Sequence, residues 1–290
     1  MITLLRVVLG TAVYLLIVVL ATPFPAAAGL MLTFPTLNGL AFVFAERGRI
    51  GGMAGSMLWM PVLNGALCAA YLLLWLLLAG VVPATALAWL LLALVLVLWS
   101  VIAFRTSLKE GIAPERRVAY TVMATLAGAV LTGCAFLLLE KSSVAAVSDW
   151  SGMFSWSFVR HALAQNWVKI VLFVLCLSAF LIAVQSFRLS DGVQGILAGL
   201  PFVPFAGLVS VAGDNALDPD ARREILERMA VSVWFGPAIA MWFIYGFSRY
   251  LTLRQSRDGC APGGVRTLPA LALGWLLCGL AIAAITSLLA

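Results

Sequence analysis

The sequence predicts an all-α polytopic membrane protein of about nine transmembrane helices, built as two inverted repeats of four helices around a central one. Three observations carry this prediction. Of the 290 residues, 63% are hydrophobic and only 10% are charged; apolar segments of spanning length follow one another along the chain; and two similar segments containing proline and glycine recur in its two halves. Soluble proteins carry about a quarter charged residues, so this composition excludes a soluble globule.

Nine segments are apolar over the length that a bilayer requires. A hydrocarbon core of about 30 Å needs about 20 apolar residues, and charges mark the ends of each span. The predicted spans lie near residues 4–22, 27–45, 54–79, 84–104, 118–139, 168–187, 193–212, 229–250 and 268–289.

The distribution of basic residues predicts the topology. If all nine segments span from a cytoplasmic N-terminus, twelve of the 18 Lys and Arg residues lie inside and six outside. The alternative treats the second and seventh segments as re-entrant hairpins, which leaves eight inside and ten outside. The positive-inside rule therefore favours nine spans, with the C-terminus outside. We expect the protein in a bacterial inner membrane. The net charge of +6 then reflects topology, and we expect no nucleic-acid partner.

The first segment has the parts of a cleavable signal peptide: Arg6, an apolar run to Leu20, and three alanines at 26–28. We expect the helix to be retained, because the apolar pattern continues past Ala28 and the helix has a counterpart in the second half.

The longest outer loop, residues 140–167, is rich in aromatic side chains, and we expect a helix on the outer membrane surface there. Asp218 and Pro219 predict the N-cap and first residue of a helix that runs into the eighth span.

The internal repeat relates residues 28–46 to residues 198–214. Both begin Ala-Gly-Leu, both place a proline before a glycine, and both have an acid seven residues after that glycine. The second copy comes five spans after the first, and an odd offset reverses direction across the membrane. The predicted domains are therefore a first repeat at 1–104, a linker helix with the outer segment at 105–167, and a second, inverted repeat at 168–290.

The candidate binding residues lie in the interrupted segments. The pattern Pro-x-Leu-Asn-Gly occurs at 35–39 and again at 61–65. Proline removes a backbone donor and leaves a carbonyl available, asparagine offers a donor and an acceptor, and glycine allows close approach. The candidate substrate-binding residues are Thr33, Pro35, Thr36, Asn38, Gly39, Pro61, Asn64, Pro201, Pro204, Gly207 and Pro237. A purely structural role, in which asparagines satisfy broken helices and glycines are helix contacts, stays open.

Catalytic and metal chemistry have little support. No predicted span carries a central acid, and the two repeat acids, Glu46 and Asp214, are candidate gate or entrance residues; Glu46 is also next to Arg47, as in a solvated ion pair. Protease and esterase motifs are absent from the sequence, and the single histidine is His161. The five cysteines form no C-x-x-C pair. We therefore expect no enzyme activity, no catalytic residue, no metal and no cofactor.

The segment Ala-Gly-Leu-Met-Leu-Thr-Phe-Pro-Thr at 28–36, with one apolar helix before it and two after it, resembles the GlpM-like family of small four-helix inner-membrane proteins. The resemblance covers about the first hundred residues, and the second half only through the repeat. That family is associated with exopolysaccharide (alginate) production, which implies an envelope-related role. This chain departs from it by being a tandem, inverted pair.

Inverted repeats with interrupted helices are the recurrent build of secondary transporters. We therefore expect an alternating-access permease for a small amphipathic or weakly charged solute or lipid-linked molecule, surrounded by membrane lipids. The alternative is a non-transporting subunit of an envelope polysaccharide or lipid-processing complex, in which the duplication is structural. The sequence leaves open a homo-oligomer or an envelope-complex partner.

Overall fold

A computed structural model describes residues 2–22, 24–35, 39, 41–42, 50–107, 112–139, 160, 164, 167–168, 170–179, 202–214, 217–258 and 267–289. These residues form helices and no named strand, so the all-α prediction is confirmed. The α-helices are α1 (Ile2–Ala21), α2 (Pro25–Met31), α3 (Ile50–Met57), α4 (Met60–Leu78), α5 (Ala84–Ser107), α6 (Arg117–Leu139), α7 (Ile170–Ala179), α8 (Phe202–Ala212), α9 (Pro219–Ser232), α10 (Gly236–Asp258) and α11 (Leu268–Leu289).

Four helical stretches in the described residues are long and apolar enough to cross a membrane, namely Ile50–Leu78, Ala84–Ile102, Pro114–Leu137 and Leu268–Leu288. They match the predicted third, fourth, fifth and ninth spans. A fifth candidate combines α9 and α10, which meet at a bend of 45°. The membrane character of the chain therefore agrees with the sequence prediction.

The other predicted spans are described only in part or as shorter helices. α1 occupies the first predicted span, while α7 and α8 cover parts of the sixth and seventh. Within the second, α2 ends at Met31 after seven residues. The count of nine spans thus stays a prediction, and most of the outer segment 140–167, with its expected surface helix, lies outside the described residues.

The helix that starts at Asp218 differs from its prediction at one point. Asp218 is the N-cap, and its carboxylate accepts hydrogen bonds from the backbone N–H groups of Asp220 at 3.1 Å and Ala221 at 3.4 Å. The helix does not run unbroken into the eighth span, because it ends at Ser232 and α10 begins after a turn at residues 233–235. Pro237 lacks the backbone N–H that would continue the helical ladder at that turn.

Helices from the two halves of the chain pack against each other to form the core. α2 lies between α1 and α9, and α4 packs on α5, α9 and α10. α5 contacts α8 from the other half, and α11 contacts α2. Large apolar side chains on α5, α6 and α11 instead remain exposed, as Leu90, Leu126 and Leu276 illustrate at 60–63% exposure. Such extended apolar faces suit contact with lipid rather than water.

Candidate site at the meeting of three helix interruptions

Three interruptions break the helices of the core. The first follows α2, where the chain turns through residues 32–35. The second separates α3 from α4 at residues 58–59, and the third separates α9 from α10 at residues 233–235. A proline lies at each one: Pro35 ends the first, while Pro61 and Pro237 are each the second residue of the helix that follows. We call the place where these three interruptions meet the junction.

The first and third interruptions are in direct contact. A β-carbon built on Gly236 would overlap the hydroxyl oxygen of Thr33 and lie 2.9 Å from the carbonyl oxygen of Leu30. One turn earlier, a β-carbon on Gly29 would overlap the hydroxyl of Ser232 and lie 2.7 Å from the carbonyl oxygen of Met229. Glycine at these two positions is therefore what allows α2 to reach the end of α9.

The second interruption joins the junction through α4. A β-carbon on Gly65 would overlap the ring of Pro237, so the start of α10 rests against α4 one turn after Pro61. Because Pro61 and Pro237 have no N–H, the carbonyls of Met57 and Val233 lose the donor that a regular helix would supply four residues later. The junction thus contains the Val233 carbonyl, which lacks its usual helical donor, next to Ser232 and on the segment whose Gly236 contacts Thr33.

Those two hydroxyls bond within their own segments. Thr33 Oγ1 donates to the Leu30 carbonyl at 3.5 Å, and Ser232 Oγ donates to the Met229 carbonyl at 3.2 Å. Both residues are buried, with Thr33 at 7% and Ser232 at 0% exposure. Each hydroxyl retains acceptor capacity, so the junction offers polar oxygens in an apolar surrounding.

Asn64 has a hydrogen-bond partner on the neighbouring helix. It is buried in α4, and its Oδ1 accepts from the indole Nε1 of Trp99 in α5 at 3.1 Å. A second indole reaches the first interruption, where Trp275 Nε1 of α11 donates to the Pro35 carbonyl at 3.4 Å. Both contacts correspond to the structural role that the sequence left open for the polar residues of these segments.

The structure brings five of the predicted binding residues to the junction or next to it: Thr33, Pro35, Pro61, Asn64 and Pro237. The two candidate glycines make helix contacts instead: an added β-carbon would lie 2.6 Å from Leu271 at Gly39 and 2.7 Å from Ile17 at Gly207. Pro204 is half-buried in α8. The predictions for Thr36, Asn38, Pro201 and Glu46 fall outside the described residues. Asp214 is half-buried just beyond α8, where its backbone N–H donates to the Val211 carbonyl at 3.3 Å.

The sequence analysis missed one residue, Arg222. Its side chain is 6% exposed, on the face of α9 that is buried against the core. A signal was present: Ile225, Leu226 and Met229 follow it at the i+3, i+4 and i+7 positions, which lie on one helix face. The sequence analysis considered this segment only for the cap at Asp218 and Pro219, and so missed the pattern.

The described residues contain no group of three or more His, Cys, Asp or Glu side chains that could hold a metal ion. Comparison with known proteins adds no relative: no model of a protein family, no curated protein and no solved structure matches this chain. The resemblance of the first half to the GlpM-like family therefore stays a hypothesis.

Proposed function

We propose that this chain is a secondary transporter of the bacterial inner membrane, with two inverted four-helix repeats and its substrate path at the junction. It carries a small solute or a lipid-linked molecule by alternating access, without a cofactor. The observation that carries this proposal is the contact between Gly236 and Thr33. It brings together two interrupted helices, from opposite halves of the chain, that are 203 positions apart in the sequence. Interrupted helices that meet in the core supply binding carbonyls at membrane depth in transporters.

The packing supports the inverted repeat. In the proposed correspondence the segment around Pro35 and Gly39 matches α8, with its Pro204 and Gly207; α3 and α4 match α9 and α10, and α5 matches α11. The contact of α5 with α8 then has its counterpart at Gly39, where an added β-carbon would lie 2.6 Å from Leu271 of α11, and the contact of α4 with α5 has its counterpart in that of α10 with α11. Pro61 and Pro237 hold equivalent positions after the break in each half.

A second candidate is a non-transporting subunit of an envelope polysaccharide or lipid-processing complex, in line with the resemblance of the first half to the GlpM-like family. The burial of the junction favours it. Thr33, Pro35, Pro61, Asn64 and Pro237 are all buried, as in a core that is packed shut. A transporter reaches the same arrangement in an occluded state, so accessibility in the membrane separates the two.

The test is cysteine accessibility. The five native cysteines are replaced, and single cysteines are placed at Thr33 in the junction and at Ala206, which is half-buried in α8. Right-side-out and inside-out vesicles are treated with a membrane-impermeant maleimide. Two controls use the same background: Asp220→Cys is exposed near the start of α9, and Val130→Cys lies on an apolar face of α6 with 64% exposure.

A transporter predicts labelling of Thr33→Cys from both sides, because the site opens alternately to each aqueous phase. The Asp220→Cys control should label from one side only, and Val130→Cys from neither. Protection of Thr33→Cys from both sides, or labelling from a single side, contradicts alternating access, and protection from both supports the complex subunit.

A further inference from the structure

Arg222 is a buried cation that forms no ion pair with any acid among the residues the structure describes. Its guanidinium donates from Nη2 to the Leu217 carbonyl at 2.9 Å, while its Nε is buried and has no hydrogen-bond partner in the described structure. A buried arginine is costly unless it is paired with an acid or its N–H groups find acceptors. A buried unsatisfied donor of this kind calls for an acceptor.

The other arginines of α9, a helix that the structure describes in full, have acids at helical spacing. Arg223 pairs with Glu227 at 3.0 Å and Arg228 with Glu224 at 3.7 Å, both four residues apart. Four residues after Arg222 comes the apolar Leu226, and four before it is Asp218, whose carboxylate caps the helix backbone. No described carboxylate forms an ion pair with Arg222.

The position of Arg222 connects it to the junction. It lies seven residues before Met229, which is on the same face of α9 and contacts Gly29 of α2. Arg222 thus faces the core on the helix that ends at the third interruption, about 17 Å of helix before Val233. A ligand group held there would lie beside the same helix that leads to the junction.

We propose that Arg222 binds an oxyanion, a carboxylate or a phosphate, that belongs to the ligand of this protein. The planar guanidinium fork matches either group, and its buried Nε–H would gain the acceptor that it lacks. The inference deepens the proposed function, on which it rests for the identity of that ligand as cargo, and makes the cargo anionic rather than weakly charged. A free solute and a lipid headgroup share this chemistry.

The experiment measures the thermal unfolding midpoint of the full chain, purified in dodecyl maltoside. The probes are sodium phosphate and sodium acetate, each against sodium chloride at matched ionic strength, and phosphatidylglycerol against phosphatidylcholine in mixed micelles. Arg222→Met is the test variant, because methionine fills a similar apolar volume and removes the charge. Arg223→Gln is the matched control, since the Arg223 side chain is 57% exposed on the same helix.

At least one oxyanion should raise the wild-type midpoint by about 4 °C or more near saturation. Arg222→Met should abolish this shift, and Arg223→Gln should keep it. A shift with phosphate or acetate assigns the ligand to a free solute, and one with phosphatidylglycerol alone assigns it to a lipid headgroup. The proposal is overturned if no probe shifts the wild type, or if Arg222→Met shifts as much as the wild type does.

Arg222→Lys supplies a second variant should Arg222→Met fail to fold. A lysine keeps the charge but loses the fork, so the shift should fall by half or more; an undiminished shift overturns the proposal.

The measurement of the unfolding midpoint does not depend on transport. Anion binding at Arg222, together with protection of Thr33→Cys from both sides, would support the anion site and refute the transporter. Labelling of Thr33→Cys from both sides without anion binding would refute the anion site alone.

Discussion

Gly236, the first residue of α10, lies against Thr33 so closely that no side chain fits between them, and the nearby Leu30 carbonyl would be 2.9 Å from an added β-carbon. The contact joins the break after α2 to the break before α10. Because the Leu30 carbonyl belongs to the backbone, a side chain at residue 236 could be accommodated only if α2 or α10 moved.

Gly236→Ala should therefore destabilise the protein by about 1–3 kcal/mol, the usual cost of overpacking a core. The measurement is unfolding by titration with sodium dodecyl sulfate, followed by tryptophan fluorescence. Gly246→Ala is the matched control, because it lies in the same helix with nothing within 4 Å of an added β-carbon. It should be neutral or stabilising by up to about 1 kcal/mol through helix propensity. Equal effects of the two changes would refute the close contact.

The hydrogen bond between Trp99 and Asn64 should couple α5 to α4 energetically. Trp99→Phe, Asn64→Leu and the double variant form a cycle in the same unfolding assay. Interhelical hydrogen bonds in membrane proteins contribute about 0.6 kcal/mol on average and up to about 1.7 kcal/mol, and we expect a coupling energy in this range. Additivity of the two single changes would instead mean that the indole and the amide do not interact in the folded protein.

Arg117 should hold the start of α6 against α3. Its Nη2 donates to the Gly51 carbonyl at 2.7 Å and its Nε to the Ile112 carbonyl at 3.1 Å, while the Ile112 N–H donates to the Gly55 carbonyl at 3.2 Å. Arg117→Gln removes the two hydrogen bonds of the guanidinium, so hydrogen exchange of the peptide that contains the Ile112 amide should become faster.

The neighbouring Arg116→Gln serves as the control for this exchange measurement, because Arg116 is exposed and ends the short 3₁₀ turn Pro114–Arg116. Its exchange should match that of the wild type. Unchanged exchange in Arg117→Gln would show that the backbone hydrogen bond from Ile112 to Gly55 persists without the guanidinium.

The cap at Asp218 should contribute measurably to stability. Asp218→Ala removes the side-chain acceptor for two backbone N–H groups and should cost about 1 kcal/mol. Asp218→Asn keeps an acceptor oxygen at the same place and should retain most of the stability, which thermal unfolding of both variants can check. If Asp218→Asn lost as much stability as Asp218→Ala, the effect would be due to the charge of Asp218 rather than to the hydrogen bonds of the cap.

Elements of the fold that depend on neighbouring residues were predicted correctly. Four predicted spans coincide with helices that are long and apolar enough to cross a membrane, because the burial of apolar side chains in lipid depends on a run of neighbouring residues. The cap at Asp218 was also correctly placed, since capping acts within one turn. The sequence placed Pro237 in an interrupted segment but did not predict that the helix from Asp218 ends at Ser232, because a proline near the start of a span and one that breaks a helix have the same local sequence pattern.

By itself, then, the sequence determined the local properties of this protein: an all-helical apolar chain, the position of several spans, and the helix interruptions expected at its prolines. Only the tertiary structure decided which interruptions meet, that Asn64 bonds to Trp99, and that Arg222 is buried with no ion pair to a described acid. Hydropathy and capping act between residues within a few turns. The contact of Thr33 with Gly236 depends instead on how distant helices pack, and local periodicity does not specify that packing.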